Sequence, residues 1–177
     1  MPILPLEVLR NRVKNEIGMC ERKLKHKIVP EDPELSTFPV RINVIIVDVP
    51  GPVLRMGKNR IGHRYTHEFM MEITNEYPWK KPVVRWKTSI FHPNIRMPED
   101  GGYVCTRLLD NWVFSSNLLS FIKGLESLLL NPNPKSPYDT DSCTRAAEYF
   151  NKHVYKPPMP VETRMQKPKV IKAEKEE

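Results

Sequence analysis

Apolar residues recur at steps of three and four through Leu6, Leu9, Val13, Ile17, Cys20, Leu24 and Ile28, which is one stripe down an α-helix. Pro5 stands near its start, where a missing N–H costs least, and Pro30 and Pro33 close it. The period then changes. Val40 to Val49 is rich in β-branched residues and predicts a strand. Pro50-Gly51-Pro52 breaks it, and 53–64, with two glycines and several basic side chains, predicts a loop holding at most a short strand. Tyr65, His67, Phe69, Met71 and Ile73 alternate with Thr66, Glu68 and Glu72, the period of a half-buried strand. A turn-rich loop over 75–82 leads to a short strand from Val83 to Lys87. Leu118 to Leu130 is densely apolar and predicts a buried central helix, capped by Ser115, Ser116 or Asn117 and stopped at Asn131-Pro132. Ala146, Ala147, Phe150 and Val154 set a last helix over Asp141 to Val154.

These elements predict one α+β domain over 1–155: a helix, an antiparallel meander, an irregular loop region and two further helices. From Lys156 prolines and charges predominate, so 156–177 is expected to be a flexible tail. The length of 177 residues and the 40% hydrophobic share suit a single core. No apolar run approaches the ~18 residues of a membrane span. The first residues lack the blocks of a signal peptide, and a cytoplasmic protein is expected.

The net charge of +7 is spread over the first helix, the 80–87 stretch and the tail. General solubility explains it more simply than nucleic-acid binding, since no recognition motif accompanies it. Cys20, Cys105 and Cys143 are odd in number and lack a CxxC pair, against both a disulfide framework and a zinc site. No metal or cofactor is expected.

Cys105 carries the chemistry. Cys20 lies on the apolar stripe and reads as core, whereas Cys105 follows Gly101-Gly102 and precedes Thr106-Arg107, the surroundings of an exposed loop. Arg107 would favour the thiolate, the nucleophilic form. Upstream, Phe91-His92-Pro93-Asn94 forms a polar turn that offers a side-chain amide. Asn94 could donate to an oxyanion or hold the loop through backbone hydrogen bonds, and both roles stay open. Pro93 makes the side chains of His92 and Asn94 diverge, so His92 reads as structural. A cysteine peptidase would need a partnered histidine, and no motif surrounds His153.

His92-Pro93-Asn94, then Cys105, Trp112 and Asn131-Pro132-Asn133-Pro134, together resemble the active-site region of ubiquitin-conjugating enzymes. Tyr77-Pro78-Trp79-Lys80-Lys81-Pro82 is similar to that family's Tyr-Pro-Phe-Lys-Pro-Pro loop. The resemblance follows the element order from about Pro5 to His153 and is close from Tyr77 to Pro137. It implies the ubiquitin-conjugating-enzyme-like fold, with Cys105 accepting ubiquitin or a ubiquitin-like protein from an activating enzyme as a thioester and passing it to a lysine, with a RING-type ligase and protein substrates as further partners. Neither a membrane nor a nucleic acid is expected as a partner. Asn94 is the matching asparagine. Ser136 stands where the family gates the incoming lysine, too weak a base to act alone but able to orient the amine, with Tyr138 and Asp139 as helpers. Trp79 and Phe114, with Arg10, Arg12 and Lys14 off the apolar stripe and expected to face solvent, correspond to the family's docking surface. The chain departs from the pattern in its longer Met97-Pro98-Glu99-Asp100 insertion, in Thr106 and Arg107 after the cysteine, and in Val113-Phe114-Ser115 after the tryptophan. The alternative is a non-catalytic module of the same fold that binds ubiquitin or a partner; the retained Cys105 and Asn94 argue against it.

Overall fold

A computed structural model describes residues 3–55, 60–105 and 111–158. Helix α1 spans Leu6–Lys23 and buries Leu9, Val13, Glu16, Ile17 and Cys20. Its first and last expected apolar positions behave differently. Leu6 remains 47% exposed. Leu24 is extended (φ −117°, ψ 150°) and stops the helix six residues before Pro30. Ile28 then belongs to strand β1 (Lys27–Pro30), paired with β2 (Val40–Ile46). The four-residue step from Leu24 to Ile28 mimics a helical stripe, but the ladder opposite Val44 holds this backbone and buries Ile28, 5% exposed, against the sheet's core face.

Strands β2 (Val40–Ile46), β5 (His67–Ile73) and β6 (Val83–Trp86) complete an antiparallel four-stranded sheet of order β1-β2-β5-β6. Val40 pairs with Ile73 and Ile46 with His67, so the alternation predicted for β5 puts His67, Phe69, Met71 and Ile73 on the buried face. The sheet is not a simple meander. Between β2 and β5, strands β3 (Gly51–Arg55) and β4 (Arg60–Arg64) form a separate two-stranded hairpin. The expected loop is therefore largely paired. The strand expected to Val49 stops at Ile46, ahead of Asp48 with its φ of 62°, and β3 starts within the Pro-Gly-Pro run; Pro52 has no N–H to offer, and its carbonyl accepts from Phe91 N–H at 2.8 Å.

The core lies between this sheet and the helices. Helix α2 (Leu118–Leu130) begins and ends as the sequence predicts and buries Leu118, Phe121, Ile122, Leu125, Leu128 and Leu129. Asn117 is its cap: its side chain accepts from Ser120 N–H, and Ser120 reciprocates. Helix α3 (Asp141–Lys152) is capped by Thr140 and buries Cys143, Ala146, Ala147 and Phe150.

Glu16 joins the parts that frame the site. Only 6% exposed, it receives Arg12 Nε–H at 2.8 Å, Leu118 N–H at 2.9 Å and the Tyr77 hydroxyl. One buried carboxylate thus links α1, the 75–82 loop and the N-terminus of α2, where a negative charge is favourable. Burial, followed by the carboxylate contact, raises the Tyr77 phenol far above its ordinary range. Residues 159–177, most of the expected tail, lie outside the described residues. No helix among the described residues is long and apolar enough to cross a membrane.

Candidate active site

After β6 the chain makes a short 3-10 turn at Pro98–Asp100 and returns to bridge Arg85 through Tyr103. Gly102 makes the return possible. Its φ is +63°, and a Cβ there would lie 2.2 Å from Trp86 O. That close approach lets Trp86 N–H donate to Gly102 O at 2.7 Å and sets Tyr103 opposite Arg85. Val104 then bridges Ile95, and Cys105 N–H donates to Asn94 O at 2.8 Å. Val104 and Ile95 point inward, 8% and 1% exposed. Opposed residues of an antiparallel bridge share a face. Arg96, Tyr103 and Cys105, next to this inward pair, therefore share the other one. Cys105 is half-buried there, neither core nor fully exposed.

The other two cysteines are inaccessible. Cys20 is fully buried, its thiol pushed up to about 12 by burial and then by the charges of Glu16 and Glu21. Cys143 is also fully buried and raised by burial, with its sulfur 3.5 Å from Ile95 O.

Asn94 is 3% exposed, and its carboxamide is engaged on both sides. Nδ2 donates to Asn133 O at 2.9 Å and Ser136 O at 3.0 Å, while Oδ1 accepts from Asn133 N–H at 2.8 Å. Of the two roles left open by the sequence, the geometry displays the holding one. Asn94 pins the loop after α2 to the cysteine strand, and Tyr138 N–H adds a bond to Pro93 O at 3.0 Å. Ser136 is thereby brought beside Asn94, half-buried.

His92 is structural, as read. It is fully buried, donates from Nε2 to Leu128 O at 2.9 Å and accepts Asn94 N–H at Nδ1 at 3.0 Å. These partners require the neutral ring. Burial, then the neighbouring His67, pushes its pKa down to about 4; burial, then the charge of Arg64, does the same for His67. The unfolded chain titrates near 6.5, so it binds more protons than the folded one between about pH 6.5 and 4. Stability from both histidines is complete above pH 6.5 and is lost on acidification through that window. At pH 5 the loss should be roughly 2 kcal/mol per histidine relative to pH 7. Urea midpoints at pH 7, 6 and 5 measure it; a flat profile would contradict the neutral buried rings.

The expected docking residues cluster in part. Trp79 is half-buried and Phe114 is 50% exposed, with ring centroids 5.3 Å apart. Arg12 and Arg10 do not face solvent freely. Arg12 lies 4.9 Å over the Phe114 ring, donates to Phe114 O and Ser116 O at 2.8 and 3.0 Å, and pairs with Glu16; its side chain is 20% exposed. Arg10, equally covered, bonds Leu35 O at 3.1 Å and pairs with Glu7. Placement off the apolar stripe did not leave these side chains open, because long guanidinium stems reach the carbonyls of neighbouring loops. Lys14 is exposed and pairs with Glu34 at 3.1 Å. Trp112 bonds Pro78 O at 2.6 Å and packs against Tyr77 and Phe121, tying its loop to the 75–82 segment. Thr106 and Arg107 lie outside the described residues.

Sequence reasoning named Tyr138 and Asp139 but missed the two residues they stand beside, Arg96 and Tyr103. The Arg96 guanidinium lies 5.5 Å from the Tyr103 ring centroid and 4.6 Å from that of Tyr138, and pairs with Asp139 at 3.0 Å.

Residues 56–157 match the family model described as "Ubiquitin-conjugating enzyme". Among curated proteins, one from Acanthamoeba polyphaga mimivirus, described as a ubiquitin-conjugating enzyme E2, is 33% identical over 97 residues, covering 54% of this chain and 56% of its own. "Ubiquitin-conjugating enzyme E2 2" of Saccharomyces cerevisiae is 30% identical over 90 residues, covering 50% and 51%. The chain spans about half the length of the curated relatives it matches. The solved structure of S. cerevisiae Ubc12 superposes with a TM-score of 0.63 at 25% identity, over 84% of this chain and 74% of that one.

Proposed function

Because this chain belongs to the ubiquitin-conjugating enzyme family, we propose that it carries ubiquitin or a ubiquitin-like protein as a thioester on Cys105 and delivers it to a lysine amine. The observation that carries this reading is the contrast among its cysteines. Cys20 and Cys143 are fully buried, whereas Cys105 is partly open on a strand tied to Asn94 and, through it, to the loop of Ser136.

In loading, the Cys105 thiolate attacks the thioester carbonyl presented by an activating enzyme. A new C–S bond forms, and the donor cysteine leaves as thiolate. In transfer, a neutral lysine amine attacks the same carbonyl; the C–N bond forms, the amine loses its proton to solvent, and the Cys105 thiolate leaves. Asn94 serves chiefly by fixing the wall along which the amine approaches, since both its N–H donors are already engaged by Asn133 and Ser136. Ser136 orients the amine. The Trp79–Phe114 pair, braced by Arg12, forms the exposed aromatic patch on which an activating enzyme and a RING-type ligase would take turns.

Incubation with ubiquitin-activating enzyme, ATP and ubiquitin, followed by a non-reducing gel, tests the reading. A slower-migrating band that thiol treatment removes is the expected result. Its absence with ubiquitin and with every available ubiquitin-like protein and cognate activating enzyme would exclude it.

A further inference from the structure

We infer that Arg96 is a specificity-determining residue that recognises a carboxylate next to the acceptor lysine; this rests on the acyl-transfer reading of Cys105. The bridge between Ile95 and Val104 sets Arg96 and Cys105 on one face, diagonal to each other. Diagonal neighbours on paired strands are roughly 7–8 Å apart. An acceptor whose lysine reaches the Cys105 thioester therefore lays its neighbouring residues within reach of the guanidinium.

The guanidinium is held in place before any acceptor arrives. Tyr103, on the cysteine strand, and Tyr138, on the loop after α2, both lie within cation–π distance of it. Its side chain is only 26% exposed, so little rotamer freedom is lost on binding.

Asp139 already demonstrates the ligand chemistry. Its carboxylate sits 3.0 Å from a terminal nitrogen of Arg96, yet the Asp139 side chain is 91% exposed. So exposed an ion pair is weak and readily exchanged. An aspartate or glutamate of the acceptor can take its place while the two tyrosines keep the guanidinium where it is. The charges of Asp100 and Asp139 reach Cys143, as that of Arg96 does, and these carboxylates pull the other way, towards basic acceptors. The inference is that the tyrosine-held cation prevails over these exposed carboxylates.

The test uses the full chain loaded chemically, so that neither the modifier nor its activating enzyme need be known. A peptide ending in Leu-Arg-Gly-Gly, supplied as its mercaptoethanesulfonate thioester, exchanges onto Cys105 and releases mercaptoethanesulfonate. Single-turnover discharge is then followed onto two peptides with one lysine each, flanked by glutamates or by arginines. The glutamate peptide should react about two- to fivefold faster at low ionic strength, the advantage of an exposed ion pair, and the difference should fade in salt. Arg96→Gln should abolish the preference, Arg96→Lys keep part of it and Asp139→Asn enlarge it, each with a melting temperature measured alongside. Equal wild-type rates, faster reaction of the arginine peptide, or an unchanged preference in Arg96→Gln would overturn the inference. Failure of enzymatic charging with all modifiers would instead count against the proposed function, since the chemically loaded discharge is read separately.

Discussion

Cys105→Ala should lose thioester formation entirely, while Cys20→Ala and Cys143→Ala, if folded, should charge within about twofold of wild type. The thiolate is the nucleophile. With a thiol near 12, roughly one Cys20 in ten thousand is ionised at pH 8, and no part of that side chain reaches solvent. Cys143 is shielded to the same degree, on the buried face of α3 and against Ile95. Cys105→Ser should trap an oxyester that withstands thiol treatment, because an alkoxide leaves far less readily than a thiolate. A second readout needs no modifier. Brief treatment of the native chain with iodoacetamide should add one carbamidomethyl group, mapped by peptide mass to Cys105, whereas the denatured chain should take up three, one for each cysteine it contains. Both core substitutions remove a sulfur from a packed interior and should cost about 1 kcal/mol or more in stability, so melting temperatures accompany the charging rates. An adduct persisting in Cys105→Ala, or native alkylation at Cys143, would sink the assignment.

Gly102→Ala should cost about 3 kcal/mol in stability and slow charging at least tenfold. The new Cβ would meet Trp86 O at 2.2 Å and Trp86 N at 2.8 Å, both backbone atoms of a buried strand, from a residue whose φ is +63°. Backbone in a sheet cannot withdraw as a side chain can. The strand carrying Tyr103, Val104 and Cys105 would have to move, taking the Cys105–Asn94 bond with it. Gly101→Ala is the internal comparison. Its φ is +88°, but its Cβ would touch only the Tyr103 ring edge, at 2.9 Å. That ring can rotate away, leaving mainly the backbone strain of about 1 kcal/mol. Urea denaturation gives the stability of each variant and a charging time course the activity. Gly102→Ala behaving like Gly101→Ala would show that the loop does not need the close approach.

What the sequence by itself determined is what depends on near neighbours. The limits of α2, the buried face of β5 and the stop at Asn131 follow from local periodicity, caps and breakers. So does the burial of Cys20 against the partial opening of Cys105, because a helical stripe and a glycine turn distinguish core from loop within a few residues. Ile28 and the β3–β4 hairpin depart from the local pattern for the converse reason. Their conformation is set by ladders to residues more than a few positions away, and the local signals of a four-residue step and a Pro-Gly-Pro run point elsewhere. The tertiary structure alone decided how Asn94 spends its hydrogen bonds, since Asn133 and Ser136 come beside it only when α2 packs. It also decided that Arg12 braces the aromatic pair and that Arg96 is held by Tyr103 and Tyr138 next to the cysteine strand. Long charged side chains have many rotamers and no periodic signature, so which partner each one finds is fixed only when the folded backbone brings the carbonyls, carboxylates and rings within reach.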